Sequence, residues 1–394
     1  MSKMIDRQML SGVRILDFTA LLPGPFATVI LADLGADVIK VEPPAGDFAR
    51  QMPVEMFRMA NRNKRSLAID LKQPSSQEVI ARLVDWADVA IEGFRPGVAD
   101  RLGIGASQLR AGKPELVYCS ISGYGQTGPW RDVPGHDFNY LAAAGALSFL
   151  GHWADERPHR SGLPVADLAG SSYAVIAILA ALRRRDRNGM GATLDISLTE
   201  VAMSFMSVRR GLDSDEPGRW HLYPTNDLFD TSDGRRLSFG IVEEHFWEAF
   251  VESVGALEPA LLDERFITEE SRRHHGDALR VVMARLISTR TAAEWLQRFQ
   301  ATDVPVQLVM TPREAADSEQ ANYRGLVTRL DSERHIPFPV LTEDGPAGTL
   351  ERLAPETGMH TDAILEELGF SAQQRAHLCE SGVCMNAQPR SMAG

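Results

Sequence analysis

The chain has 394 residues, 44% hydrophobic and 24% charged, with a formal net charge of −12. That length is more than one ordinary core requires and points to two domains, and the composition is typical of soluble globular proteins. The negative charge argues against general nucleic-acid binding, Met1–Arg7 lacks the apolar core of a secretory signal, and no run of about 18 apolar residues offers a membrane span.

Val13–Phe18 reads as a strand of branched and aromatic residues, broken by Leu21-Leu22-Pro23-Gly24-Pro25. Phe26–Leu34 then carries apolar residues at helical spacing up to Gly35, and Asp37–Val41 is the next strand. Strand, helix and strand within about 30 residues make a βαβ unit, which predicts a parallel sheet with a right-handed crossover. The turn lacks Gly-x-Gly-x-x-Gly, so a nicotinamide cofactor is not supported. The pattern recurs with a helix near 75–86 and strands at Asp88–Ile91 and Leu116–Ile121. Three cysteines, Cys119, Cys379 and Cys384, form no Cys-x-x-Cys pair and no disulfide framework, which fits a reducing, cytoplasmic setting.

A basic segment lies between the second strand and the helix near 75: Arg50, Arg58, Arg62, Lys64, Arg65 and Lys72 stand against only Glu55 and Asp70. Arg95 and Arg101 flank a second loop, Glu92-Gly93-Phe94-Arg95-Pro96-Gly97. In an acidic chain this excess is either the footprint of a phosphate-bearing ligand or a solvated face of ordinary surface pairs.

The stretch from Gly123 to Asp167 holds the chemistry. His136 and Asp167 each follow a Gly- or Pro-rich break and each precede an apolar helical run, which puts both at helix N-termini. There, free backbone N–H groups and the helix dipole favour a carboxylate or a developing oxyanion. A base, an acid and ready donors together suit proton transfer next to a carbonyl, so the chain reads as an enzyme. The helix Leu168–Leu182 ends in three arginines, and Thr193–Leu198 is a further strand.

Residues 207–225 are polar and irregular and read as a linker into a smaller α+β unit over 226–325. That unit has a strand at Arg236–Gly240, a helix whose Phe246, Trp247, Phe250, Val251 and Val254 share a face, a capping box at Thr291–Glu294 and a strand at Pro305–Val309. Residues 326–394 read as a return connection and a C-terminal piece with short helices after Thr361 and Ser371. His245 and His360 read as structural, and His274-His275 as a solvated face.

The series Gly24-Pro25-Phe26, Leu31–Pro43, Asn63-Lys64-Arg65-Ser66, Asp70-Leu71-Lys72, Glu92–Gly97 and Ser122–Gln126 resembles the family III CoA transferases and α-methylacyl-CoA racemases. The resemblance implies a Rossmann-like α/β domain assembled from both ends of the chain (residues 1–206 and 326–394), a smaller middle domain and an interlocked homodimer. It also implies an acyl-CoA thioester as substrate, with no other cofactor, no metal, and neither nucleic acid nor membrane as partner. The CoA contacts would come from Arg50, Lys64, Lys72, Phe94, Arg95 and Arg101. Pro43 departs from the pattern, because several members carry a CoA-contacting arginine there.

Both family chemistries have signals here. Gly135-His136-Asp137-Phe138-Asn139-Tyr140 and the segment 240–246 with Glu243 resemble the racemase form, whereas Ala166-Asp167-Leu168-Ala169-Gly170 sits closer to transferases. For racemisation, His136 and Asp167 are the acid/base pair, Glu243 orients His136, and donors in the first turn after Asp167 hold the enolate oxygen. For transfer, Asp167 is instead the nucleophile, which forms an anhydride and then carries CoA as a thioester. Racemisation is the first expectation and transfer the alternative.

Overall fold

The computed structural model describes residues 8–52, 54–149, 151–155, 159–213 and 221–387. Two compact units make up the chain. Residues up to Gly145, Ser161–Gly211 and the chain from Gln320 form the larger, and Ala146–Arg160 with Leu212–Glu319 form the smaller. The first part expected over 1–206 is therefore interrupted: 146–160 groups with the smaller unit, and the return to the larger begins at Gln320 rather than 326. The expected linker 207–225 is helical as far as Arg210, and its residues 214–220 lie outside those described.

The larger unit runs β1 (Arg14–Phe18), α1 (Pro23–Asp33), β2 (Asp37–Glu42), α2 (Val54–Asn61), β3 (Lys64–Ile69), α3 (Ser76–Trp86) and β4 (Val89–Glu92). There follow α4 (Val98–Arg101), α5 (Ala106–Gly112), β5 (Val117–Ser122), α6 (Asp137–Ala143), α7 (Val165–Asn188), β6 (Thr193–Ser197) and α8 (Leu198–Arg210). The six strands pair in parallel in the order β3-β2-β1-β4-β5-β6, and Cys384–Met385 adds an antiparallel edge beside β3. Ile15, Leu16, Val38, Ile39, Leu67, Ala90 and Ile91 have no exposure, as expected of parallel strands covered by helices on both faces. This is the Rossmann-like α/β architecture, and strand order reverses between β1 and β4. Open sheets of this kind bind ligands in the crevice outside the carboxyl ends of the strands at such a reversal.

Two sequence expectations change here. The basic segment after Arg50 contains β3, a strand paired on both sides within the sheet. Its charge at Lys64 is neutralised inside the protein rather than in solvent. Helix α7 is 24 residues long and, by length and composition alone, apolar enough to cross a membrane, contrary to the expectation that no such stretch exists. Half of its apolar window is packed inside the unit, as in a core helix.

The smaller unit pairs β7 (Leu228–Asp230), β8 (Arg236–Phe239) and β9 (Val306–Leu308) as an antiparallel sheet. Helix α9 (Glu244–Val254) and the helices Gly276–Ile287 and Ala292–Phe299 share its core, where Phe239, Phe250, Phe299 and Trp295 pack ring against ring. The capping box is formed: Thr291 N–H donates to Glu294 Oε2 at 2.8 Å.

Candidate active site

At the reversal point, the loop after β1 is fixed from below. Gly24 lies so close to Thr19 that a Cβ there would meet the Thr19 Cβ at 2.2 Å, so glycine is required. Leu21 has φ of 66°, the left-handed region that a branched side chain rarely adopts, and its N–H is held by Asp47 Oδ1 at 3.2 Å. Beneath the loop, the Lys64 ammonium donates to Asp17 Oδ2 (2.9 Å), Pro25 O (3.0 Å) and Asn61 Oδ1 (2.8 Å). Lys40 donates to Thr19 O at 3.0 Å and pairs with Asp47 at 2.8 Å. Burial alone would raise the Asp17 carboxyl, but Lys64, Lys40 and the hydroxyls of Thr19 and Thr28 hold it well below the usual carboxylate range. Burial in turn lowers Lys64 to about 8, against the pull of Asp17.

Lys64 therefore does not belong to a CoA site. Its side chain has no exposure and all three of its donors are spent on Asp17, the Pro25 carbonyl and Asn61. Arg50 is likewise committed: it donates to Glu42 at 2.7 and 3.0 Å, donates to Pro355 O and lies 3.9 Å over the Phe57 ring. It lines a groove of about 950 Å³ with Arg58, Glu333 and His360 rather than the cleft beside the other expected cations.

Lys72 and Arg101 do come together. Both are exposed, and both line a cleft of about 530 Å³ with Gln73, Gln77, Asp100 and Gln108. Neither forms an ion pair with a carboxylate among the described residues, so both charges remain available to a phosphate. Phe94 is half-buried against the sheet core, and its N–H donates to Glu92 Oε2 at 2.8 Å. Arg95 is exposed, and its charge is felt at the phenol of Tyr140.

His136 is the N-cap of α6, and Asp167 is the third residue of α7. The two helix starts are joined by Asp137, the first residue of α6. Its Oδ1 accepts from Ala166 N–H at 2.7 Å and from Asp167 N–H at 3.2 Å. The side chain of the residue after His136 thus reaches the backbone of Asp167, and the expected pair shares one corner of the larger unit. Behind it, Ser171 Oγ donates to Asp167 O (2.7 Å) and approaches Pro23 O at 2.6 Å, which ties the first turns of α7 to the loop after β1. The imidazole of His136 is exposed, and within its own unit makes no hydrogen bond among the described residues; Asn139 Oδ1 instead accepts from His136 N–H at 3.1 Å.

The electrostatics of this corner run opposite to those around Asp17. Burial, followed by the nearby charge of Asp137, raises the Asp167 carboxyl to about 7. Tyr140, packed edge-on to Tyr124 and donating to Gly135 O, is pushed up to about 12 by burial and by Asp167. Glu92, at the end of β4, is raised to about 7 by burial despite its bonds to Ser120 and Phe94. Of the donors in the first turn of α7, Ala166 and Asp167 N–H are taken by Asp137 Oδ1 and Leu168 N–H by Pro164 O, which leaves Val165 N–H without an acceptor among the described residues. Glu243 lies in the smaller unit at the N-cap of α9, exposed and without a capping hydrogen bond.

Sequence reasoning missed Asp137, Ser171 and the loop after β1. The Pro-Gly-Pro punctuation at 23–25 marked that loop as a break without revealing its place at the reversal point.

These features define the larger unit as a Rossmann-like enzyme domain with an acid–base corner and a cation-lined cleft. The chain matches the model of CoA-transferase family III over residues 10–361. It is 31% identical over 381 residues to the α-methylacyl-CoA racemase of Homo sapiens, with 93% of this chain and 94% of that one covered. It is also 32% identical over 375 residues to the acetyl-CoA:oxalate CoA-transferase of Acetobacter aceti, with 88% and 96% covered. Among solved structures, a CAIB/BAIF family protein from Brucella suis superposes with a TM-score of 0.81 at 28% identity, over 91% of this chain and 99% of that one. The chain belongs to CoA-transferase family III and is an enzyme of that transferase and racemase superfamily.

Proposed function

We propose that this enzyme epimerises the 2-position of an acyl-CoA thioester by two-base proton transfer between His136 and Asp167. One observation carries the reading: an imidazole and a carboxyl raised to about 7 begin two helices that the Asp137 side chain joins. A carboxyl with that affinity for protons can give or take the α-proton near neutrality, and an imidazole opposite it supplies the second proton-transfer group. In the forward direction one group removes the proton as a base while the other, protonated, delivers one to the opposite face. The enolate oxygen falls to the first turn of α6, where Asp137 N–H has no acceptor among the described residues. Such a donor is typically worth roughly 3–4 kcal/mol. Lys72 and Arg101 would take the CoA phosphates, with Phe94 and Arg95 in the loop alongside. Glu243 would orient His136 in the working homodimer, whose two chains interlock.

CoA transfer through an aspartyl thioester on Asp167 is the second reading, favoured by the Ala166–Gly170 segment and by relatives that are transferases. Against it stands the proton affinity of Asp167, because a nucleophilic carboxylate works best when fully ionised. The two are separated by incubating one epimer of a 2-methylacyl-CoA with enzyme and no acceptor acid, then resolving the epimers by chiral chromatography. Conversion to a mixture is expected. Retention of the starting epimer, with a hydroxylamine-sensitive adduct on Asp167, would establish transfer instead.

A further inference from the structure

Neither chemistry uses the Asp137 carboxylate, yet few side chains in this corner are so fully committed. It is 4% exposed, and no lysine, arginine or histidine among the described residues pairs with it. Its compensation is two backbone N–H groups belonging to a helix that starts 28 residues after it. A buried carboxylate without a cation is costly, and the positive end of α7 offsets only part of that cost. What the arrangement changes is the field at Asp167. Without Asp137, the first turn of α7 would present free N–H groups and a positive dipole end to its own carboxylate and would favour the ionised form. With Asp137 in place those donors are occupied and a like charge stands beside Asp167.

We propose that Asp137 is a positioning residue: its carboxylate pins the first turn of α7 to that of α6, setting Asp167 relative to His136, and its charge keeps Asp167 able to hold a proton. The other titratable groups of this corner do not substitute for it. From α6 come His136, whose imidazole makes no hydrogen bond among the described residues of its unit, and Tyr140, a neutral phenol; Tyr124 and Arg95, from the loops after β5 and β4, act on Tyr140. Helix α1 reaches this corner through the Pro23 carbonyl, which Ser171 contacts. The burial of Asp167 would persist without Asp137, whereas the like charge would not.

The consequence for turnover rests on reading Asp167 as a proton carrier, but the test does not. The full-length protein is labelled with aspartate carrying ¹³C at the side-chain carboxyl, and Asp167→Asn identifies the Asp167 resonance. Its titration is then compared between the wild type and Asp137→Asn. Asparagine keeps the Oδ1 acceptor and therefore the cap, but removes the charge. The Asp167 midpoint is expected to fall by about one pH unit or more. An unchanged midpoint would reduce Asp137 to a helix cap and overturn the proposal. Should Asp137→Asn not fold, Asp137→Ser, a neutral capping residue, is read in the same way. No substrate enters this measurement, so a failure of the racemase reading would show in the epimer assay and leave the titration intact.

Discussion

Asp17 and Asp167 belong to the same unit, both sit near the loop after β1, and both are largely shielded from water, yet they are opposites. Asp17 faces two lysines and two threonine hydroxyls, and its proton affinity is pulled far down. Asp167 is raised to about 7 by burial and, after that, by the carboxylate of Asp137 that it faces. The first is a permanent anion that holds a loop in place. The second can change its protonation state at neutral pH. What makes one structural and the other chemical is the sign of the charge nearest to each, and in both cases that charge comes from a distant part of the chain.

The largest effect that would break this contrast is at the reactive pair. His136→Ala or Asp167→Asn should lower kcat for epimerisation by about 10²–10⁴-fold, the usual contribution of a general acid or base, while the melting temperature holds or rises. Full activity in the histidine variant would remove the two-base assignment. Next in size is the structural anion. Lys64→Met leaves Asp17 buried without its main partner and should cost about 3–5 kcal/mol, read as a lower urea midpoint, with KM for acyl-CoA unchanged in the folded fraction. A raised KM with undiminished stability would return Lys64 to the ligand. A smaller effect is expected in the cation cleft, where Lys72→Ala and Arg101→Ala should each raise KM about tenfold with kcat unchanged, about 1.4 kcal/mol of uniform binding per side chain.

The finest discriminator is the pH dependence of stability. Asp17 is depressed in the folded protein, so its contribution is present above its unfolded value of 3.8 and is lost as pH falls below that. Asp167 is raised, so the folded form binds its proton more tightly, and stability is lost as pH climbs from 3.8 towards about 7. Asp167→Asn should therefore raise the melting temperature at pH 8 relative to wild type and do little at pH 4. Equal shifts at both pH values would show that Asp167 is not held in a proton-retaining state.

Much of the fold was legible because the βαβ rhythm of apolar runs and Gly/Pro breaks repeats along the first 200 residues, and β1, β2, β4, β5 and β6 fall where the pattern puts them. The strand β3 was hidden because its opening residues, Lys64 and Arg65, read as a solvated basic face. Only the fold shows that Lys64 turns inward onto Asp17, and that pairing spans 47 positions. At the site, His136 and Asp167 stood out through their helix-start context. Asp137 did not, since an acidic residue in a first turn is usually a partner for its own helix dipole. Here it serves the next helix, a relationship that depends on the packing of α6 against α7 and leaves no trace in local sequence. Arg50 misled for the opposite reason: its charge suggested a phosphate, whereas Glu42 had already claimed it.

The most direct test of a proton crossing between His136 and Asp167 is isotopic. One epimer of a 2-methylacyl-CoA is incubated in deuterated water without acceptor acid, and the α-carbon of both epimers is followed by proton NMR from the earliest times. Two bases on opposite faces predict deuterium in the inverted product while the recovered starting epimer still carries its original hydrogen. No deuterium in either pool, with Asp167 trapped as an adduct, would contradict the account.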